Sequence, residues 1–413
     1  MRRVLMIALY FPPIGEVGSK RPLTLVRHLP RHGWEPIVLA GNPAIERSDP
    51  GLAAHIPAGI EIRYDFARPN RRSPSRAPNG RPGRGRGIAY FDPFDRYLKA
   101  LPHGLASARQ MIREFGPQAI HVCADPWTSL FAGRRLALET GLPFVADLRD
   151  PWSLHTGKMA MRSPPTRWAI RHMESRVFRA ASKIVLNTDG CRDRYVKAYA
   201  GRLLPDRFRT IRNAFDMDLY EPATPARPSA FTLLHYGDFR AFVSGAAVLR
   251  GFARFVSQER LGPAEARLVA SEPARPEEVT LAQQLGIAAH VEFRPRAPYG
   301  KTLQVLRSAD VLVLCNDDDA PVIPSKLYDY LAARRPVLSL STEPESNRIV
   351  VSTGSGLAPL PHDPDAVAEA IRQLRERTRG PQWGALPADL VSGFTATTQA
   401  EQFAAVLDEV TAG

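Results

Sequence analysis

Cysteine is nearly absent from this chain: three residues in 413, at positions 123, 191 and 315, with no C-x-x-C spacing. That argues against a disulfide framework or a zinc site and fits a reducing, cytoplasmic setting. No run of 18 apolar residues occurs, so no membrane-spanning helix is expected. The apolar stretch at residues 4–11 ends in Pro12-Pro13 without a small-residue cleavage site, and reads as a buried first strand rather than an export signal. Residues 68–87 contain no acidic and no large apolar residue, only seven arginines among Gly, Pro, Ser, Asn and Ala. Such a stretch has little to bury, so a flexible Arg-rich insertion is expected, either a solvated loop or an arm that meets anionic lipid headgroups or nucleic acid. No aromatic residue is interleaved within it, so no nucleic-acid partner is expected.

What is present is a globular composition, 44% apolar and 23% charged, in a chain too long for one ordinary core. Two domains of about 200 residues each are the expectation. The net charge of +13 is unevenly placed: residues 1–200 carry 32 Lys and Arg against 16 Asp and Glu, and residues 201–413 carry 23 against 26. A basic first half suits nucleic acid, an anionic membrane surface or a polyanionic substrate.

Residues 3–10 read as a strand, residues 11–19 as a loop with Gly15 and Gly18, residues 21–32 as a helix and residues 37–40 as a second strand, which makes a βαβ unit. The loop is G-x-x-G, not G-x-G-x-x-G, and no acidic residue ends the second strand, so a nicotinamide cofactor is not expected. Strands and helices continue to alternate up to about residue 221. A Pro-rich stretch at 222–228 reads as a linker, and a second alternating array occupies 229–393. An amphipathic helix over 394–413 is expected to pack back toward the first domain. The fold class is α/β, two Rossmann-like domains with a cleft between them.

Several groups carry candidate chemistry. Asp147, Arg149 and Asp150 follow a predicted strand, where open α/β sheets place ligands, although Asp147 and Asp150-Pro151 also fit turn positions. Residues 167–180 form a basic helix with Trp168, readable as a solvated face or as an interfacial helix at a membrane. Pro324-Ser-Lys326 starts a short helix, with Ser325 as the expected cap and Leu327, Tyr330 and Leu331 on its apolar face. Lys326 and Asp329 share another face, so a cation, a carboxylate and free backbone N–H groups converge there, as a capped surface ion pair or as a phosphate-binding corner.

Four motifs in this order, Tyr10-Phe-Pro-Pro-x-Gly-x-x-Gly-Ser19, Asp147-Leu-Arg-Asp-Pro-Trp152, Ile211-Arg-Asn-Ala-Phe-Asp216 and Pro324-Ser-Lys-Leu-Tyr-Asp-Tyr-Leu-Ala-Ala333, resemble the retaining, nucleotide-sugar-dependent glycosyltransferases of the GT-B fold, family 4. The resemblance spans nearly the whole chain. It implies a hexosyltransferase (EC 2.4) that moves a sugar from a nucleotide diphosphate to a saccharide or lipid-linked acceptor, in cell-surface polysaccharide or glycolipid synthesis. Cytoplasmic location, peripheral at the inner face of the plasma membrane, and no required cofactor or metal would follow. By the same resemblance Lys326 would contact the donor diphosphate and Asp329 the ribose. Gly15, Gly18 and Arg240 would line the donor site, Asp147 and Arg149 would stand on the acceptor side, and Asp150 would position or deprotonate the acceptor hydroxyl.

The chain departs from the family at Pro321, where a glutamate is usual, at Val243, where a cation is usual, and at Ala214, usually Gly. The first two departures motivate an alternative: a catalytically weak or inactive nucleotide-sugar-binding protein. Asp317 and Asp319 also allow a D-x-D reading that would hold Mg2+ or Mn2+ against a diphosphate.

Overall fold

The computed structural model describes every residue except 46–47, 67–89, 125, 223, 225–226, 238, 240–242, 318–320, 381–385 and 413, with only the backbone of Ile45. The Arg-rich insertion expected at 68–87 therefore lies outside the described residues. The chain forms two compact units, Met1–Ala214 with Ala396–Gly413, and Phe215–Thr395.

The first unit is a seven-stranded parallel sheet: β1 (Arg2–Ala8), β2 (Trp34–Gly41), β3 (Ile62–Phe66), β4 (Ala119–Ala124), β5 (Phe144–Leu148), β6 (Lys183–Leu186) and β7 (Phe208–Thr210). Their order is β3-β2-β1-β4-β5-β6-β7. The inner strands read as unbroken apolar runs because helices cover both faces; Val4 to Ala8 of β1 have no exposed surface. The Ala396–Thr411 helix belongs to this unit. Its Ala400, Phe403, Ala404 and Leu407 close one side of the sheet over Val4, Met6 and Val145.

The second unit repeats the plan with six parallel strands: β8 (Phe231–His235), β9 (Ala266–Ser271), β10 (Val291–Arg294), β11 (Val311–Asn316), β12 (Val337–Ser341) and β13 (Gly356–Leu357), ordered β10-β9-β8-β11-β12-β13. In both sheets the order reverses beside the first strand, at β1/β4 and at β8/β11. A crevice for a ligand opens beyond the carboxyl ends of strands at such a reversal.

The division falls between Ala214 and Phe215 rather than in the Pro-rich stretch at 222–228. The cause is local pairing: Phe215 N–H donates to Phe394 O (3.0 Å), Glu221 N–H donates to Gly300 O (2.8 Å), and Tyr220 packs its ring on Tyr299. Residues 215–221 are thereby part of the second unit.

Candidate active site

Beyond β8, His235 is buried and its Nδ1 lies 3.0 Å from the Val313 carbonyl oxygen. A carbonyl only accepts, so Nδ1 carries the proton and Nε2 presents a lone pair. That lone pair faces the Lys326 ammonium, 3.3 Å away. Gly237 makes the approach feasible. Its φ is +155°, and a Cβ there would sit 2.6 Å from Lys326 Nζ. Ser271 Oγ receives the Gly237 N–H at 3.1 Å and holds the turn. The result is a cation at the first residue of the Lys326–Ala333 helix, in the crevice of the second sheet. An anion placed there meets a charge and a helix N-terminus together.

The expected cap is not formed. Ser325 adopts helical angles and makes no side-chain cap hydrogen bond; Leu327 N–H donates instead to the Pro324 carbonyl at 2.9 Å, which tightens the first turn. Asp329 turns to a different neighbourhood from Lys326: its Oδ1 accepts from the Tyr220 hydroxyl at 2.6 Å and the Tyr299 hydroxyl at 3.2 Å. Burial, followed by the Asp329 charge, pushes both phenols well above their ordinary value, so they remain donors. Sequence reasoning did not find Tyr220 and Tyr299, which lie 109 and 30 residues from Asp329.

Asp317 Oδ2 accepts the Ser244 N–H at 2.9 Å, ahead of the Ala246–Glu259 helix. One half of the D-x-D pair is thus tied to a loop, and Asp319 and Arg240 lie outside the described residues. Val243, where a cation is usual, is a core side chain packed with Phe239 and Val248.

In the first unit, Gly18 lies against Arg149: a Cβ on it would stand 2.8 Å from Arg149 Nη1 and from Tyr10 Cδ2. Gly18, Tyr10, Arg149, Asp147, Arg21 and Cys123 line a small hollow beyond β1 and β5. Gly15 is in the same loop and partly buried. Asp147 is withdrawn from the surface. Both its oxygens accept from Arg21, Oδ2 from Nε and Oδ1 from Nη2, each at 2.8 Å. Burial works to raise its pKa, but Arg21 and then His121 hold it below the ordinary aspartate value. Arg21 also donates to the Ile211 and Arg212 carbonyls, at 2.9 and 3.0 Å, so the pair braces the segment that follows β7. His121, Cys123 and Asp147 bring ligand atoms within 4.8 Å of one another, because alternate residues of β4 share a face. Arg21 already takes both Asp147 oxygens, and burial raises the Cys123 thiol well above its usual range, so this trio is a poor metal centre.

Asp150 is more open. Its Oδ2 lies 3.6 Å from Arg149 Nη2 and 3.7 Å from Lys158 Nζ. Burial opposes ionisation, yet Arg149, Lys158 and His155 together keep the carboxyl below its ordinary value. It is an ionised hydrogen-bond acceptor and a weak base. Its loop is anchored by Glu174, which accepts from Ser153 N–H and Oγ, both at 2.7 Å, and from the Tyr195 and Tyr199 hydroxyls, at 2.8 and 2.9 Å. Trp152 stacks on Trp127 with ring centroids 5.1 Å apart.

Residues 19–214 match the profile of the glycosyl transferase 4-like domain, and residues 230–377 that of the glycosyl transferases group 1. The chain belongs to the GT-B, group 1 glycosyltransferases. This glycosyltransferase is 27% identical over 252 residues to an alpha-maltose-1-phosphate synthase of Mycolicibacterium smegmatis. That match covers 57% of the chain and 63% of the relative, less than two thirds of its length. Similar folds include sucrose-phosphate synthase from Thermosynechococcus elongatus, with a TM-score of 0.68, 15% identity and 100% of both chains covered. Another is Anabaena HepE in complex with UDP-glucose, with a TM-score of 0.64, 15% identity, and 99% of this chain and 100% of that one covered. The catalytic domain of Arabidopsis thaliana starch synthase IV, bound to ADP and acarbose, has a TM-score of 0.61 at 10% identity and 100% coverage of both.

Proposed function

We propose that this glycosyltransferase moves a hexosyl group from a nucleotide diphosphate sugar to an acceptor hydroxyl, with retention at the anomeric carbon. The carrying observation is the Lys326 ammonium, set at a helix start between a neutral His235 and the close turn at Gly237. As the sugar departs, negative charge grows on the leaving diphosphate, and a fixed cation at a helix N-terminus stabilises that charge most where it develops. No metal is then required. Retention follows a front-face path in which the acceptor approaches from the leaving group's side. Asp329, with Tyr220 and Tyr299, is assigned the ribose. Gly15, Gly18 and Arg240 are assigned the donor site, Arg149 the acceptor side, and Asp147 the support beneath it. Asp150, held ionised, orients the acceptor hydroxyl and accepts its hydrogen bond. HepE with UDP-glucose and starch synthase IV with ADP support a nucleotide diphosphate donor by analogy. The basic first half would face an anionic acceptor or membrane, in keeping with a saccharide or lipid-linked acceptor in cell-surface polysaccharide or glycolipid assembly at the cytoplasmic face of the membrane.

Thermal-shift screening against nucleotide diphosphates and their sugars tests this reading, since a ligand at 100 times its Kd stabilises the fold by about 2.7 kcal/mol. A shift with one donor class, its loss in Lys326→Ala, and transfer that survives a chelator are expected. No shift with any of them would overturn it. The burial of Val243 favours one second reading, donor binding without turnover. It would show as a thermal shift without product.

A further inference from the structure

Among the described residues, nine large hydrophobic side chains of the first unit are exposed, and five of them, Tyr90, Phe91, Phe94, Met161 and Trp168, lie on two segments, 90–94 and 161–168, that are joined to each other. Hydrogen bonds make the join. The Tyr90 carbonyl accepts from Ser163 N–H at 3.0 Å and Thr166 Oγ1 at 3.1 Å, and the Asp92 carbonyl accepts from Arg162 Nη1 at 2.8 Å. These bonds strap residues 90–92 onto the first turn of the Pro164–Ala180 helix. That helix buries Ile170, Val177 and Phe178 and turns outward Trp168, 68% exposed, with His172 stacked on it one turn later at 5.4 Å. Phe91 is 72% exposed and Met161 64%.

The helix side of this collar is strongly basic, while the strap contributes Asp92 and Asp95 against Arg96 and Lys99. Residues 155–180 carry six Lys and Arg, at 158, 162, 167, 171, 176 and 179, against a single acidic residue, Glu174. Glu174 is buried and held by Ser153, Tyr195 and Tyr199. Exposed indole, phenyl and thioether groups on a segment with a basic excess suit the boundary between headgroups and acyl chains, where rings enter the apolar edge and guanidinium groups meet lipid phosphates. The same elements reach the acceptor-side loop, because Lys158, three residues before Met161, lies 3.7 Å from Asp150.

We propose that Trp168, Phe91, Met161, Tyr90 and Phe94 form a docking surface for an anionic lipid bilayer, which sets the Asp150 loop at the membrane interface and presents a lipid-borne acceptor to it. The acceptor half of this statement rests on the glycosyl-transfer reading above; the docking half does not.

Co-sedimentation of the full chain with vesicles tests it, comparing phosphatidylcholine alone with phosphatidylcholine holding about one third phosphatidylglycerol. Binding to the anionic vesicles only, weakening with salt, is expected, together with a blue shift in tryptophan emission that Trp168→Phe diminishes. Trp168→Ala with Phe91→Ala should cut partitioning at least tenfold and leave the melting temperature and donor thermal shift unchanged, because both side chains face solvent. Arg167→Gln with Arg171→Gln should cut it less and flatten the salt dependence. Absence of wild-type binding, equal binding to neutral vesicles, unaltered binding by the Trp168/Phe91 variant, or single-stranded RNA binding in place of vesicle binding would overturn the docking surface. Vesicle binding without a thermal shift from any nucleotide sugar would sink the transfer reading and leave the surface standing. Transfer to soluble acceptors without vesicle binding would do the reverse.

Discussion

Lys326 Nζ sits 3.3 Å from His235 Nε2, a contact between the first residue of one helix and the last residue of a strand 91 positions earlier. Because the Val313 carbonyl fixes the imidazole tautomer, Nε2 turns its lone pair toward the ammonium and aims it. Lys326→Ala is predicted to lower kcat by about 10²–10³-fold, the range for loss of one preorganised charge-stabilising group, with no change in melting temperature. Steady-state transfer assays measure it, and a loss under tenfold would remove Lys326 from the chemistry.

Gly237 tests the same spot from the backbone. Alanine there places a methyl 2.6 Å from Lys326 Nζ at a φ of +155°, so the lysine must move or the turn must relax. Gly237→Ala should weaken donor binding by calorimetry about as much as Lys326→Ala does, whereas an undiminished affinity would show that Lys326 is not held by this turn.

The Arg21–Asp147 pair is buried on both sides, with side chains 5% and 0% exposed. Removing one partner leaves a buried uncompensated charge, so Arg21→Ala and Asp147→Ala should each cost about 3–5 kcal/mol in urea unfolding. The double variant should cost less than the sum, since neither charge is then left alone. Simple additivity would mean that the two do not act as a pair.

The pH dependence of stability follows from the same groups. Burial pushes the Asp147 and Asp150 carboxyls up, and their cationic neighbours outweigh it, so both lie below the ordinary aspartate value in the folded state. The unfolded chain then binds protons more readily, and the stabilisation is complete above about pH 5 and drains away as pH falls below about 4. Glu174, pushed up by burial despite its four donors, acts with the opposite sign: its share is fullest below the ordinary glutamate value and fades as pH rises through its folded value. Urea midpoints across pH should show the acid limb shrink in Asp147→Asn. A limb of unchanged steepness would assign acid lability to other carboxylates.

Apolar runs that recur between helical patterns announced both parallel sheets, and β1 and β11 are as buried as their unbroken Val, Leu and Ile content implied. Lys326 at a helix start could likewise be read from Pro324, Ser325 and the apolar period that follows. These features are local: burial on a strand or helix depends on side-chain period, and the period is written along the chain. The Ser325 cap failed because the helix tightens through the Pro324 carbonyl, a choice among backbone geometries that residue type does not settle.

The partners are another matter. Asp147 read equally well as a turn residue or an acceptor-side group, and only the order β1-β4-β5 brings Arg21 to it across 126 residues. Asp329 gained two tyrosines, and Gly18 gained Arg149, by the same means. The last helix joins the first unit because its apolar stripe fits the face of the first sheet, whatever its distance along the chain. Chain order decides which elements form; the reversal of strand order at β1/β4 and β8/β11 decides which side chains meet, because it gathers loops from distant strands at one edge of each sheet.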